Sequence, residues 1–258
     1  MGLYTYDSTA IPKSERITKL VENLYARMPE IESARAVLIT ESYRQTENEP
    51  VIIRRAKAFQ HILENIPIII RDLELIVGST TIAPRGCQTY PEFSYDWLEA
   101  EFDTVETRPA DPFYISEETK AELKKANTYW AGKTTSELAT SYMEPETLLA
   151  IEHNIFTPGN YFYNGVGHVT VKYDEVLAIG FSGIKEKAQA ELAKLSLADG
   201  DYQKKSRFLE AVMISCDAVI TYARRYAKLA LKEAEKCSDL TRKKELLQIA
   251  QNCANVPE

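Results

Sequence analysis

Residues 159–169 read GNYFYNGVGHV and gather three glycines, two asparagines, three aromatics and a histidine. The whole chain holds only three histidines and ten glycines. Glycines at 159, 165 and 167 permit positive φ or close backbone approach. In an extended segment Asn160, Asn164 and His168 recur every four residues and share one face. Two chemistries fit that pattern. Two amides and an imidazole lining a polar cavity would hold a hydroxylated small molecule through neutral donors and acceptors. Alternatively, the stretch is a buried turn whose amides and imidazole satisfy backbone groups.

The other reactive side chains are less informative. His61 lies inside a helical pattern, and His153 sits near a helix end, where the dipole favours a cation. Cys87, Cys216, Cys237 and Cys253 lie far apart without CxxC or zinc-type spacing. They read as free thiols of a reducing cytoplasm, with Cys216 a small core residue. Cys87 sits in a loop beside Arg85, with no histidine placed to activate it, and reads as structural. The dinucleotide and phosphate-loop glycine patterns, the GxSxG elbow and HExxH are all absent.

These residues must be positioned by a helix-rich α/β scaffold. The chain has 258 residues, 45% of them hydrophobic and 27% charged, as in ordinary globular proteins. A net charge of −7 argues against general nucleic-acid binding. No apolar run approaches the roughly 20 residues of a membrane span, and the N-terminus lacks a secretory pattern, which together predict a cytoplasmic protein.

Ile17, Leu20, Val21, Leu24, Tyr25 and Met28 repeat with helical period, with Ser14 as cap and Pro29 as stop. Further helices are predicted over Ile31–Thr46, from Pro50 to Ile66, near Tyr95–Phe102, and over Ser116–Trp130 and Glu144–Asn154. Tyr173–Leu195 reads as a helix broken near Gly180 and Gly183. A long helix over Asp201–Lys236 is apolar around much of its girth, and a last one runs over about Thr241–Cys253. Ile68–Ile70 and Leu75–Val77 read as short buried strands. Residues 79–115 read as ordered irregular chain, the kind of loop that is functional or packed. The chain stops at Cys253-Ala-Asn-Val-Pro-Glu258, directly after a helix, which reads as a cut at a connection.

Long stretches carry a resemblance. RAVLITESYRQTENEPVIIRRAKAFQHILENIPIIIRDLELIVGSTTIAPRGCQTYPEFS resembles the N-terminal region of glycyl radical enzymes, the pyruvate formate-lyase superfamily. GKTTSELATSYM, FTPGNYFYNGVGHVTVKY and ISCDAVITYARRYAK are similar to the B12-independent diol dehydratases acting on propane-1,2-diol and glycerol. The resemblance divides the chain into an extension, 1–13, and a truncated pyruvate formate-lyase-like domain, 14–258. It implies the N-terminal portion of a ten-stranded α/β barrel wrapped by helices, a barrel this chain leaves incomplete. It also implies radical dehydration of a vicinal diol to an aldehyde, using a cysteine in a GCVEP-type loop and a glycine in an RVAGY-like motif. Neither string occurs here, so the resemblance places no catalytic residue in this chain. By motif match, His168 and Asn160 are the implied substrate-binding residues; Asn164 has the spacing alone.

No cofactor is implied on the chain itself. The glycyl radical is installed in full-length relatives by an S-adenosylmethionine iron–sulfur activating enzyme. The implied partners are the missing C-terminal portion, the diol, that activating enzyme and, for the full-length form, further copies of itself. Two other readings stay open: a non-catalytic binding or scaffold protein, and a piece of a relative that cleaves choline or transfers acyl groups.

Overall fold

The computed structural model describes residues 14–157, 167 and 169–258. Each predicted helix forms, but the first ends at Tyr25 rather than Met28 and the short one near Tyr95–Phe102 covers only Asp96–Glu99. Helix α1, Glu15–Tyr25, starts at Ser14, whose hydroxyl accepts from the Ile17 amide at 3.3 Å. Helices α2 (Ala34–Gln45) and α3 (Val51–Asn65) follow, the latter opening behind Pro50. A short α4, Asp96–Glu99, precedes α5, Glu117–Trp130, which Ser116 caps through the Thr119 amide at 3.0 Å. Next come α6 (Thr135–Ser141), α7 (Pro145–Glu152), α8 (Tyr173–Leu192), α9 (Tyr202–Lys236) and α10 (Leu240–Asn255).

Helix α9 is the axis, with α3, α8 and α10 packed around it. No residue from Ala211 to Ala223 is exposed, as its all-round apolar pattern predicts, and Cys216 is in the core. Ala230 and Ala234 are fully buried against Leu246, Ile249 and Ala250 of α10, small side chains letting the helices approach closely. A second core joins Ile39, Ala58, Ile62, Ile66 and Trp130. The Trp130 indole donates to Thr40 Oγ1 at 2.8 Å, and that hydroxyl donates to the Ala36 carbonyl at 2.6 Å. A third core gathers Ile31, Ala36, Leu98, Phe102, Val105, Ile115 and Leu123.

The strands correct the sequence reading. Ile68–Ile70 and Leu75–Val77 are not strands. Ile70 and Val77 spend their apolar character against the α9–α10 core, which a run of hydrophobic residues cannot distinguish from a sheet. The sheet is instead a parallel pair, β1 (Glu30–Glu32) and β2 (Gly86–Gln88), with Ile31 opposite Cys87. The same pairing explains why α2 starts at Ala34 rather than Ile31. Tyr114 flanks β1 on its other side, its amide bonding the Pro29 carbonyl at 2.7 Å and its carbonyl the Ile31 amide at 2.9 Å. Helix α8 breaks at Gly180 alone, where φ is +62°; Gly183 stays helical. A Cβ on Gly180 would lie 2.1 Å from the Glu258 carbonyl oxygen, so both backbone shape and close packing require glycine there.

Candidate functional site

The most constrained irregular segment is the chain from Gly78 to Gly86, leading into β2. Every carbonyl from Gly78 to Ala83 accepts a side-chain hydrogen bond. Tyr222 and Tyr226 of α9 both donate to Ser79, at 2.9 and 2.6 Å, and Tyr222 also reaches Gly78 at 3.3 Å. Burial raises the phenol pKa of both tyrosines, so they remain donors. Gln88 Nε2 donates to Thr80 at 2.8 Å. Arg71 Nη2 donates to Thr81, Ile82 and Ala83 at 2.8, 3.0 and 3.1 Å. The Glu32 carboxylate accepts the Ile82 and Ala83 amides at 3.0 and 2.7 Å. Gly86 closes the turn: a Cβ there would sit 2.4 Å from Thr81 Cβ and 2.7 Å from Glu32 Oε1.

A second clamp follows immediately. Arg35 donates to the Thr89 carbonyl and to Glu92 Oε2, each at 3.1 Å, pairs again with Glu92 Oε1, and lies 3.8 Å over the Tyr90 ring. Both side chains are mostly buried, which makes this pair a structural staple. Together the clamps freeze backbone shape, because their carboxylates and guanidinium Nη groups bond the backbone or each other; Arg71 Nε is buried without a partner among the described residues.

His168, Asn160 and Asn164 lie outside the described residues. On either side of that stretch, Ile155, Phe156, Val169, Val171 and Tyr173 present exposed apolar side chains. The remaining reactive groups take the places expected of structural residues. His61 approaches Glu41 at 3.2 Å and Asn65 at 3.3 Å, and His153 Nδ1 meets the Leu149 carbonyl at 2.9 Å near the end of α7. Burial pushes the Cys87, Cys216 and Cys253 thiols up, away from nucleophilic thiolate. Among the described residues no cluster of histidine, cysteine and carboxylate is arranged for a metal, and no helix is long and apolar enough to cross a membrane.

The pattern of the pyruvate formate lyase-like family matches residues 10–258. The chain belongs to that family. Its fold superposes, with a TM-score of 0.93 and 69% identity, on a solved structure concerned with 1,2-propanediol dehydration in Roseburia inulinivorans. That match covers 98% of this chain and 30% of the other. The glycerol-bound B12-independent glycerol dehydratase of Clostridium butyricum is 53% identical with a TM-score of 0.92, over 96% of this chain and 31% of that one. The (2S)-3-sulfopropanediol dehydratase of Klebsiella oxytoca is 36% identical over 93% of this chain and 30% of its own length. The chain therefore spans about 30% of the length of these relatives and corresponds to their N-terminal part.

Glu32 and Arg71 were not legible as a site. Each is one acid or base among the 38 and 31 of the chain. The available signal was the adjoining GSTTIAPRG, a glycine-bounded segment inside an ordered loop.

Proposed function

We propose that this chain supplies the N-terminal part of a cytoplasmic glycyl radical diol dehydratase, which converts propane-1,2-diol or glycerol to an aldehyde. The observation that carries the reading is 69% identity, sustained over 98% of the chain, to the protein of the Roseburia 1,2-propanediol study. Within that enzyme His168 and Asn160 bind the diol. The imidazole holds the hydroxyl on the carbon that loses hydrogen, where a hydrogen bond strengthens as charge develops. The asparagine amide, with both donor and acceptor, fixes the orientation of the molecule.

The radical supplies hydrogen abstraction when the complete enzyme is activated. The GCVEP-type and RVAGY-like strings that carry it are absent from these 258 residues, so no radical step is assigned to this chain. Its own contribution is binding and shape: the clamped Gly78–Gly86 loop and the β1–β2 pair form a rigid frame on which the C-terminal portion closes.

The test is reconstitution. The chain alone, with activating enzyme and S-adenosylmethionine under anaerobic conditions, is expected to produce no aldehyde. Adding the C-terminal portion of a close relative is expected to restore propanal formation from propane-1,2-diol. Aldehyde from the chain alone, or none from a folded reconstituted complex that carries the radical, would overturn the reading.

A further inference from the structure

Helix α9 carries an apolar stripe in which Val212, Cys216, Val219, Ala223, Tyr226 and Ala230 recur at three- and four-residue spacing. Toward its C-terminal end the helix is covered, because α10 packs Leu246, Ile249 and Ala250 on Ala230 and Ala234. Toward its N-terminal end the cover is incomplete. A groove of about 540 Å³ lies open there between α3, α8 and α9, walled by Ile52 and Phe59, Phe181 and Ile184, and Phe208 and Val212. Ile52, Phe59 and Phe208 are 39%, 41% and 54% exposed, a concentration of apolar surface that marks an interaction site. Among the lining residues Arg55 is the one charged group, and it is exposed to water. The Ser215 hydroxyl already donates to the Ala211 carbonyl at 2.8 Å, so the groove offers an occupant apolar contact and little else.

The last residues of the chain lie at one end of this groove. The Pro257 carbonyl accepts the amide of Phe181, a groove residue, at 2.9 Å. Arg224 Nε of α9 donates to Glu258 Oε1 at 2.9 Å, and the missing Cβ of Gly180 leaves room for the Glu258 backbone. Between Leu246 and Glu258 the chain has therefore moved along α9 from Ala230 to Arg224. The groove, from Val219 to Phe208, continues the same course for roughly 17 Å, the length of a helix of about 11 residues. The Roseburia protein is matched over 98% of this chain but only 30% of its own length, so most of that relative lies outside the match. A segment tethered at Glu258 would meet the groove at an effective concentration on the order of millimolar, ahead of any untethered partner.

We propose that the polypeptide directly following Glu258 in the longer protein seats an apolar helix face in the α3–α8–α9 groove, extending the cover that α10 begins. The inference rests on the reading of this chain as the N-terminal part of that longer enzyme.

The test compares the 258-residue chain with the same chain extended by about 20 residues, enough for a connecting turn and a helix along the groove. The added residues are those that follow the matched region in the Roseburia protein. The extension is expected to shift the Ile52, Ile184 and Val212 methyl resonances and to shield them from a dissolved paramagnetic agent. Phe208→Gln is expected to leave the melting temperature of the 258-residue chain nearly unchanged and to lower that of the extended chain by about 4 °C. If the extended chain does not fold, the added segment as a free peptide at millimolar concentration must shift the same methyls. Methyls that stay unshifted and open to the agent would overturn the proposal. So would shielding in the unextended chain that is lost on dilution, which assigns the groove to a second copy. Aldehyde formation by the reconstituted enzyme is read separately. Activity with an open groove overturns the docking alone; a covered groove in a radical-bearing complex that makes no aldehyde overturns the dehydratase reading alone.

Discussion

Glu32 and Arg71 grip the same tripeptide: the carboxylate takes the amides of Ile82 and Ala83, and the guanidinium takes the carbonyls of Thr81, Ile82 and Ala83. Charge-assisted bonds of this kind are the strong ones, and here they replace a sheet ladder as the means of satisfying the backbone. Arg71→Met is expected to cost about 2–3 kcal/mol, because it breaks the ion pair with Glu74 and strips the guanidinium from three carbonyls, of which that of Ile82 has no other donor among the described residues. Glu32→Gln keeps an acceptor oxygen and is expected to cost about 1 kcal/mol. Urea unfolding gives the two energies. Hydrogen exchange at the Ile82 and Ala83 amides should accelerate in both variants; unchanged exchange would mean the clamp does not hold the loop.

Gly86 is required by space, not by backbone conformation. Its missing Cβ makes room for Thr81 Cβ, which would lie 2.4 Å away, and for Glu32 Oε1 at 2.7 Å. Gly86→Ala is expected to destabilise by roughly 1–3 kcal/mol, the range for forcing atoms into a packed site. Thr81→Gly in the same chain should recover part of that loss. A double variant no more stable than Gly86→Ala alone would count against the steric account.

Glu245 ties α10 to α1. Burial raises its pKa, but bonds from Arg242 and Arg16 outweigh that effect and hold the carboxyl below its ordinary value of 4.5. The folded pKa is depressed, so the contribution to stability is present above the ordinary value and is lost as pH falls through the folded one. Glu245→Gln should therefore melt lower than the unaltered chain at neutral pH, and the two melting temperatures should converge in acid. A gap that stays constant with pH would show that the charge is not what matters.

His168→Ala in the reconstituted enzyme is expected to lower aldehyde turnover by about 10²–10³, the usual loss for one hydrogen bond made mainly in the transition state. Asn160→Ala should fall in the same direction by a smaller factor. Radical yield by electron paramagnetic resonance should be unchanged, since radical installation does not use the imidazole. His61→Ala and His153→Ala should be nearly silent: the first loses contacts to Glu41 and Asn65, the second a bond to the Leu149 carbonyl. Equal losses in all three histidine variants would remove His168 from the diol pocket.

The sequence by itself determined the helices, because their signals are local. Ser14 and Ser116 cap where they stand, Pro50 opens α3, and the apolar period of α9 anticipates burial on nearly all sides. It determined the family as well, through stretches tens of residues long. The strands were beyond its reach: Glu30 meets Gly86 across a β–α–α–β excursion, while Ile70 of the more strand-like Ile68–Ile70 run packs against the α9–α10 core. Only the tertiary structure decided which acid and which arginine matter. Glu32 and Arg71 resemble every other charged residue in composition and spacing, and they become a pair only because β1 and the segment after α3 bring them to one loop. A hydrogen-bond partner is chosen by distance in space, and separation along the chain carries no record of it.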